Sequence, residues 1–197
     1  HWSGGGSYAP ESPVSVDTLL AKPIKDTIHL LTFFKETDWN KPNRDGLLSA
    51  LTAAVKKDTD WGIRVAKALP HRTTTIPDVL PHLFWGWRDA ELTDQQWHNL
   101  LNLLFRKPEL LKCDRDAAGL LENGIRRDKN RIPESLITLA ETIGTRIWRI
   151  SEKNTETPCK DSTDWLASSI NASGGKLAEF FMTAISIRRK SAGTKWK

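Results

Sequence analysis

The sequence has few of the residues that mark particular classes of protein. Its 197 residues include two cysteines, Cys113 and Cys159, with no Cys-x-x-Cys pair and no histidine at ligand spacing. These thiols therefore indicate neither a zinc site nor a redox motif, and they suit a reducing cytoplasm, although one disulfide stays open. The longest apolar stretch, Ile28 to Phe34, is far shorter than the roughly 20 residues of a membrane-spanning helix. We expect a cytoplasmic protein without a membrane partner.

Sequence motifs of catalysis and cofactor binding are also missing. No HExxH, GxSxG, DxDxDG or GxGxxG pattern occurs. The segment SGGK at 173–176 resembles the end of a phosphate-binding loop, but Leu177 follows where such loops have serine or threonine. We interpret this segment as the start of a helix, and we expect neither a catalytic residue nor a cofactor.

The region between His82 and His98 has residue types that can bind a metal, but a metal site is the less favoured interpretation. His82 and His98 flank three acidic residues, Asp89, Glu91 and Asp94. Nothing in the spacing fixes their geometry, and carboxylates at this position more often stabilise a helix N-terminus. We expect no bound metal here.

The positive charge is confined to one end of the chain. The formal net charge is +5, and residues 187–197 contain five Lys or Arg and no acid. The remaining residues carry 24 basic and 24 acidic side chains, so the body of the protein is neutral. A uniformly basic nucleic-acid-binding protein would have a different distribution.

Apolar residues recur at helical spacing from about residue 16 onward. Trp97, Leu100, Leu101, Leu104 and Phe105, for example, form one stripe at i, i+3, i+4, i+7 and i+8. No segment alternates with the period of a β-strand. We predict an all-α fold of about eight amphipathic helices, in a bundle or a short α-solenoid (HEAT-like) stack. The predicted helices are 16–35, 44–57, 60–69, 78–88, 94–106, 109–122, 133–152 and 162–188.

These helices divide the chain into three parts. Residues 1–15 are a Gly/Ser/Pro-rich extended segment, either a flexible linker or a segment that docks on the body. Residues 16–188 form the helical domain, and residues 189–197 form a basic tail. Thr93 and Gln96 predict a capping box at one helix start. The pair Asn123-Gly124 predicts a left-handed stop after the 109–122 helix.

Tryptophan is unusually frequent, with nine residues. Trp85 and Trp87 flank Gly86 and point about 200° apart on a helix. Both can be buried only if neighbouring helices cover opposite faces, and Gly86 would permit a close approach. We therefore predict a central helix whose Trp85 and Trp87 lie in the core, with an exposed interface tryptophan as the alternative.

Two basic clusters are candidates for contact with a partner or with nucleic acid. The first lies in a loop, the second at the end of the last helix and in the tail. Each can be a solvated surface or, alternatively, a set of phosphate contacts. They contain Arg126, Arg127, Lys129 and Arg131 in the loop, and Arg188, Arg189, Lys190 and Trp196 at the end.

Several segments together resemble a known helical region. They read SPVSVDTLL, RDGLLSALTAAV, DWGIRVAKAL, FWGWRDAELTDQQWHNLLNLL and WLASSINASGGKLAEFF, and span Ser12 to Phe181. The region is the helical domain of unknown function that follows a sirtuin-like domain in prokaryotic anti-phage defence proteins. The resemblance implies a module of a larger chain, in which the sirtuin-like part degrades nicotinamide dinucleotide. It supplies no catalytic residue for this region.

Two functions follow as expectations. The first is a non-catalytic regulatory, sensing or assembly module whose partners are other domains of its parent chain or a phage protein. The second is a helical nucleic-acid-binding domain that uses the 126–131 loop and the basic C-terminal end.

Overall fold

The computed structural model describes residues 11–35, 42–70, 77–154 and 173–191. Within these ranges the chain forms nine α-helices and no β-strand, which confirms the predicted all-α class. The helices are α1 Val16–Ala21, α2 Ile24–Phe33, α3 Arg44–Lys57, α4 Thr59–Ala68, α5 Val79–Asp89, α6 Asp94–Arg106, α7 Asp114–Arg126, α8 Ile137–Asn154 and α9 Ser173–Ser191.

The helices pack in two rows. The odd-numbered helices α1, α3, α5, α7 and α9 each contact the next member of their row, and so do α2, α4, α6 and α8. Contacts of α3 and α5 with α4, and of α7 and α9 with α8, join the rows. This arrangement is that of a short stack of helix pairs. Helix α5 lies between α3 and α7, as the Trp85–Trp87 segment predicts for a central helix.

The predicted apolar stripes lie mainly on the buried faces of their helices, although Phe105 at the end of the α6 stripe is 37% exposed. Three tryptophans, Trp61, Trp87 and Trp97, are each only 1% exposed and are the largest fully buried side chains. They come from α4, α5 and α6, so one apolar core extends through the stack. None of the described helices has the length and apolar character needed to cross a bilayer.

One of the predicted helix-end motifs, at the start of α6, is confirmed. The Thr93 hydroxyl accepts a hydrogen bond from the backbone N–H of Gln96, and the Gln96 side chain accepts one from the backbone N–H of Thr93. The predicted capping box at the start of α6 is therefore confirmed.

The predicted single helix 16–35 is wrong, because Lys22 and Pro23 separate α1 from α2. Lys22 has ψ 144, the extended conformation that a following proline imposes.

The predicted stop at Asn123-Gly124 is also wrong. Helix α7 continues through Gly124 to Arg126, and the 109–122 prediction resolves into a 3-10 turn, Pro108–Lys112, followed by α7. Gly124 is needed for packing, since an added Cβ would lie 2.5 Å from Cη2 of Trp97. Asn130 is the only described non-glycine residue with a positive φ, 55°.

Other predicted boundaries shift only slightly. A short 3-10 turn, Glu134–Leu136, precedes α8. Helix α9 runs through Ser191, so residues 189–191 of the predicted basic tail are helical. Residues 1–10 of the predicted extended segment, residues 162–172 of the last predicted helix, and residues 192–197 lie outside the described part of the chain.

Candidate ligand-binding cleft

A cleft of about 700 Å³ opens on the row of odd-numbered helices. Helix α5 and the residues just before it form one wall, α7 contributes the second, and α9 the third. The lining residues are Asp78, Pro81, His82, Trp85, Arg88, Arg115, Asp116 and Lys176. Packing of α7 against both α5 and α9 brings these three elements together.

Trp85 is the aromatic wall of the cleft and is held by two contacts. Its indole Nε1 donates a 2.8 Å hydrogen bond to Oδ1 of Asp116 on α7. Its ring lies against His82, one helical turn earlier, with ring centroids 4.4 Å apart. Trp85 is half-buried, so part of its ring surface remains in the cleft wall.

Both carboxylates of the cleft already have donors. Asp116 accepts the Trp85 indole on Oδ1 and the thiol of Cys113, 3.0 Å away, on Oδ2. Asp78 accepts two hydrogen bonds from Arg44, of 2.6 and 3.0 Å. This side-chain hydrogen bonding holds the pKa of Asp78 below its usual value. The negative charge of Asp78 is therefore balanced by Arg44.

His82 belongs to the wall of the cleft and contacts α3. Its Nδ1 lies 2.9 Å from the hydroxyl of Thr52 on α3. Burial lowers the pKa of the imidazole, against the opposing effect of Asp78, Asp45 and Asp116. The lowered pKa favours the neutral imidazole at neutral pH.

Three basic side chains, one each from α5, α7 and α9, complete the cleft, and only one of them has an ion-pair partner among the described residues. Arg115 and Lys176 have no hydrogen-bond or ion-pair partner among the described residues, and Arg88 uses Nε for the exposed Asp89, 3.2 Å away. Gly119 allows the ammonium of Lys176 to lie against α7, because an added Cβ would be 3.1 Å from its Nζ. The carboxylates of the cleft have hydrogen-bond donors within the chain, whereas Arg115 and Lys176 have no carboxylate partner among the described residues. This combination favours an anionic ligand.

The loop cations predicted from the sequence lie outside this cleft and are mostly engaged within the chain. Arg126 pairs with Glu122 at 2.9 Å and with Glu179 on α9. Arg131 pairs with Glu134 at 3.3 Å. Lys129 is exposed and has no ion-pair partner in the described ranges. The prediction that Arg126 lies in the loop is wrong, because it is the last residue of α7. Both Arg126 and Arg131 have carboxylate partners.

Arg127 is tied to backbone rather than to an acid. Its guanidinium donates to the carbonyl oxygens of Arg88 and Ala90, at the C-terminal end of α5. Helix C-terminal carbonyls lack intrahelical donors, so this contact satisfies them. The adjoining Asn130 carbonyl accepts the Trp97 indole at 2.8 Å. The loop is thus packed against α5 and α6.

The predicted cations at the end of the last helix also fall on α9. Arg188 pairs with Glu141 of α8 and donates to the Thr138 hydroxyl at 3.0 Å. Arg189 and Lys190 are exposed in the last turn. Trp196 lies outside the described residues. The structure thus places the loop cations and the α9 cations in separate contacts and brings neither group into the cleft.

The two candidate tryptophans have different surroundings. Trp87 lies in the core and meets Phe84 edge to face, with ring centroids 5.5 Å apart. Trp85 is only half-buried and lines the cleft, so the prediction that both tryptophans lie in the core is confirmed for Trp87 alone. Gly86 between them permits the predicted close approach, because an added Cβ would lie 2.5 Å from Cβ of Val55 on α3.

The considered metal ligands do not share one site. His82 lines the cleft, whereas His98 lines a second depression with Lys67 and Asn102 on the even-numbered row. Among residues 11–35, 42–70, 77–154 and 173–191, no three metal-ligating side chains cluster. Cys113, which falls within the predicted 109–122 helix, is the half-buried residue just before α7, and burial raises the pKa of its thiol.

Sequence reasoning missed the cations of the cleft. Arg88 and Arg115 stand alone in their segments, and Lys176 carried only the weak resemblance of SGGK to a phosphate-binding loop. Comparison of the chain with protein-family models, with curated proteins and with solved structures finds no match in any of the three.

Proposed function

We propose that this chain is a non-catalytic sensing module whose cleft binds a small anionic ligand. The observation that supports this role is the convergence of Arg88, Arg115 and Lys176 beside Trp85. The lining carboxylates Asp78 and Asp116 already have internal donors, and of the three cations only Arg88 is in an ion pair, with the exposed Asp89. Guanidinium and ammonium groups bind oxyanions through charge-assisted hydrogen bonds.

The wider proposal follows the resemblance described above. The chain would act in the cytoplasm as the regulatory, sensing or assembly part of a larger sirtuin-like anti-phage defence protein. Its partners would be the other domains of that protein, or a phage protein, and degradation of nicotinamide dinucleotide would belong to the sirtuin-like part. Ligand binding that joins α5, α7 and α9 gives such a module a physical means of changing state.

The non-catalytic role predicts that this chain alone does not consume nicotinamide dinucleotide. The purified 197-residue chain is incubated with the dinucleotide, and nicotinamide release is followed by chromatography. We expect release at the rate of a buffer control. Release in proportion to protein concentration, retained through a second purification step, would overturn the non-catalytic assignment.

The anion-binding role predicts that pyrophosphate binds the full chain in isothermal titration calorimetry at low salt. Arg115→Gln and Lys176→Gln should each weaken binding about tenfold or more, since a hydrogen bond to a charged group contributes about 1.5–3 kcal/mol. Arg149→Gln, an exposed arginine of α8 outside the cleft, is the matched control and should leave the affinity unchanged. Absence of pyrophosphate binding, or equal loss in all three variants, would refute this role.

A nucleic-acid interface at the 126–131 loop and the basic C-terminal end is the less supported function. Its exposed cations include Lys129 and Lys190, but Arg126, Arg127 and Arg188 are held by contacts within the chain. Fluorescence anisotropy with an oligonucleotide separates the two functions. Salt-sensitive binding that is lost when Arg188, Arg189 and Lys190 become Glu, but kept in Lys176→Gln, would favour the interface over the cleft.

A further inference from the structure

We propose that the ligand of the cleft is a nucleotide, with its phosphate between Arg88, Arg115 and Lys176 and its base against Trp85. This inference rests on the anion-binding role proposed above and narrows it to one class of ligand. Three features of the cleft support it: its volume, the state of the Trp85 ring, and the balance of charge.

The volume exceeds what a simple oxyanion needs. The cleft measures about 700 Å³. Pockets of roughly 300–1,000 Å³ accommodate organic ligands of several rings or a ring with substituents. Inorganic phosphate would occupy only the space between the cations and leave the wall formed by Pro81 and Trp85 uncovered. A ligand that fills the cleft therefore extends from its anionic group to this apolar wall.

Trp85 offers a ring surface rather than a hydrogen bond. Its single donor, the indole N–H, is already used by Asp116, and His82 lies against the ring. These contacts hold the indole in place before a ligand arrives, which lowers the entropy lost on binding. A flat base can stack on such a ring, whereas an aliphatic chain gains only area.

The charged groups of the cleft suit a phosphate. Arg115 and Lys176 bring two positive charges, Asp116 brings one negative charge, Asp78 is balanced by Arg44, and Arg88 is paired with the exposed Asp89 at 3.2 Å. The excess of one positive charge favours an anion. The forked guanidinium groups of Arg88 and Arg115 also suit the several oxygens of a phosphate.

The test compares ligands that share the phosphate and differ in the base. Isothermal titration calorimetry of the full chain is carried out with AMP, ribose 5-phosphate and inorganic phosphate. We expect AMP to bind about tenfold or more tightly than ribose 5-phosphate, because of base stacking. Trp85→Leu should abolish this preference and Trp85→Phe should retain most of it. Trp148→Leu, an exposed tryptophan of α8, is the matched control.

The outcomes separate this inference from the proposed function. Equal affinities for AMP and ribose 5-phosphate would overturn the nucleotide and leave the anion-binding role standing. Absence of binding by all three ligands, and by pyrophosphate, would overturn both. An AMP preference that survives in Trp85→Leu would refute stacking on Trp85. Circular dichroism checks that each variant is folded, and the comparison of ligands on the unsubstituted chain does not depend on any variant.

Discussion

Replacing Trp97 with alanine is expected to destabilise the fold by about 3–5 kcal/mol, the usual range for truncating a buried large aromatic residue. Trp97 on α6 is 1% exposed. Its ring fills the space that Gly124 leaves on α7, and its indole holds the Asn130 carbonyl at 2.8 Å. Alanine would leave a cavity between α6 and α7 and an unpaired carbonyl in the loop. Both losses act on the folded state.

The matched control for Trp97 is the same substitution at Trp148. Trp148 on α8 is 41% exposed and its indole hydrogen bond goes to the exposed Glu152. We expect Trp148→Ala to cost less than about 1 kcal/mol, as surface substitutions generally do. Thermal unfolding followed by circular dichroism should show a midpoint lowered by roughly 6–20 °C for Trp97→Ala. Equal shifts in the two variants would contradict the burial of Trp97.

The helices could be predicted from sequence because their signals are local. The stripe that begins at Trp97 and the capping box of Thr93 and Gln96 lie within one element. Both are observed, except that Phe105 at the end of the stripe is exposed. The errors came where a local signal competes with packing. Asn123-Gly124 has the sequence of a helix stop, but Gly124 is buried under Trp97 in a continuing helix. Only the position of a neighbouring helix decides between those interpretations.

The cleft could not be predicted, because its residues meet only through the order of helix packing. Arg88, Arg115 and Lys176 belong to α5, α7 and α9, which are adjacent in one row and separated in sequence by the helices of the other row. The sequence drew attention instead to dense groups of cations. Several cations of these groups form ion pairs within the chain, as Arg126 does with Glu122 and Arg188 with Glu141. Of the isolated cations, Arg115 and Lys176 have no carboxylate partner among the described residues, whereas Arg88 pairs with Asp89.

The packed loop also connects the cleft to the rest of the stack. Arg127 holds the carbonyls of Arg88 and Ala90, so the end of α5 that carries the Arg88 side chain is fixed to the end of α7. A ligand that draws Arg88 toward Lys176 would act on this same junction. Arg127, one of the cations predicted to contact nucleic acid, thus has a structural role beside the cleft.

Replacing Gly86 with alanine is expected to destabilise the chain by about 1–3 kcal/mol, the usual cost of overpacking a well-packed core. The new Cβ would lie 2.5 Å from Cβ of Val55 and 2.9 Å from the carbonyl oxygen of Thr52. Neither atom is the end of a flexible side chain, so α3 and α5 must separate. The higher helix propensity of alanine, about 0.5–1 kcal/mol, offsets only part of this cost.

Gly174→Ala is the matched control, because its new Cβ would lie 3.8 Å from Trp148 Cζ3, an ordinary contact. Urea unfolding should show a lower midpoint for Gly86→Ala and no loss for Gly174→Ala. Thr52 also holds Nδ1 of His82 in the cleft wall, so separation of α3 and α5 should weaken pyrophosphate binding in Gly86→Ala as well. Unchanged stability in Gly86→Ala would mean that the two helices are not in close contact, and the central position of α5 would have to be abandoned.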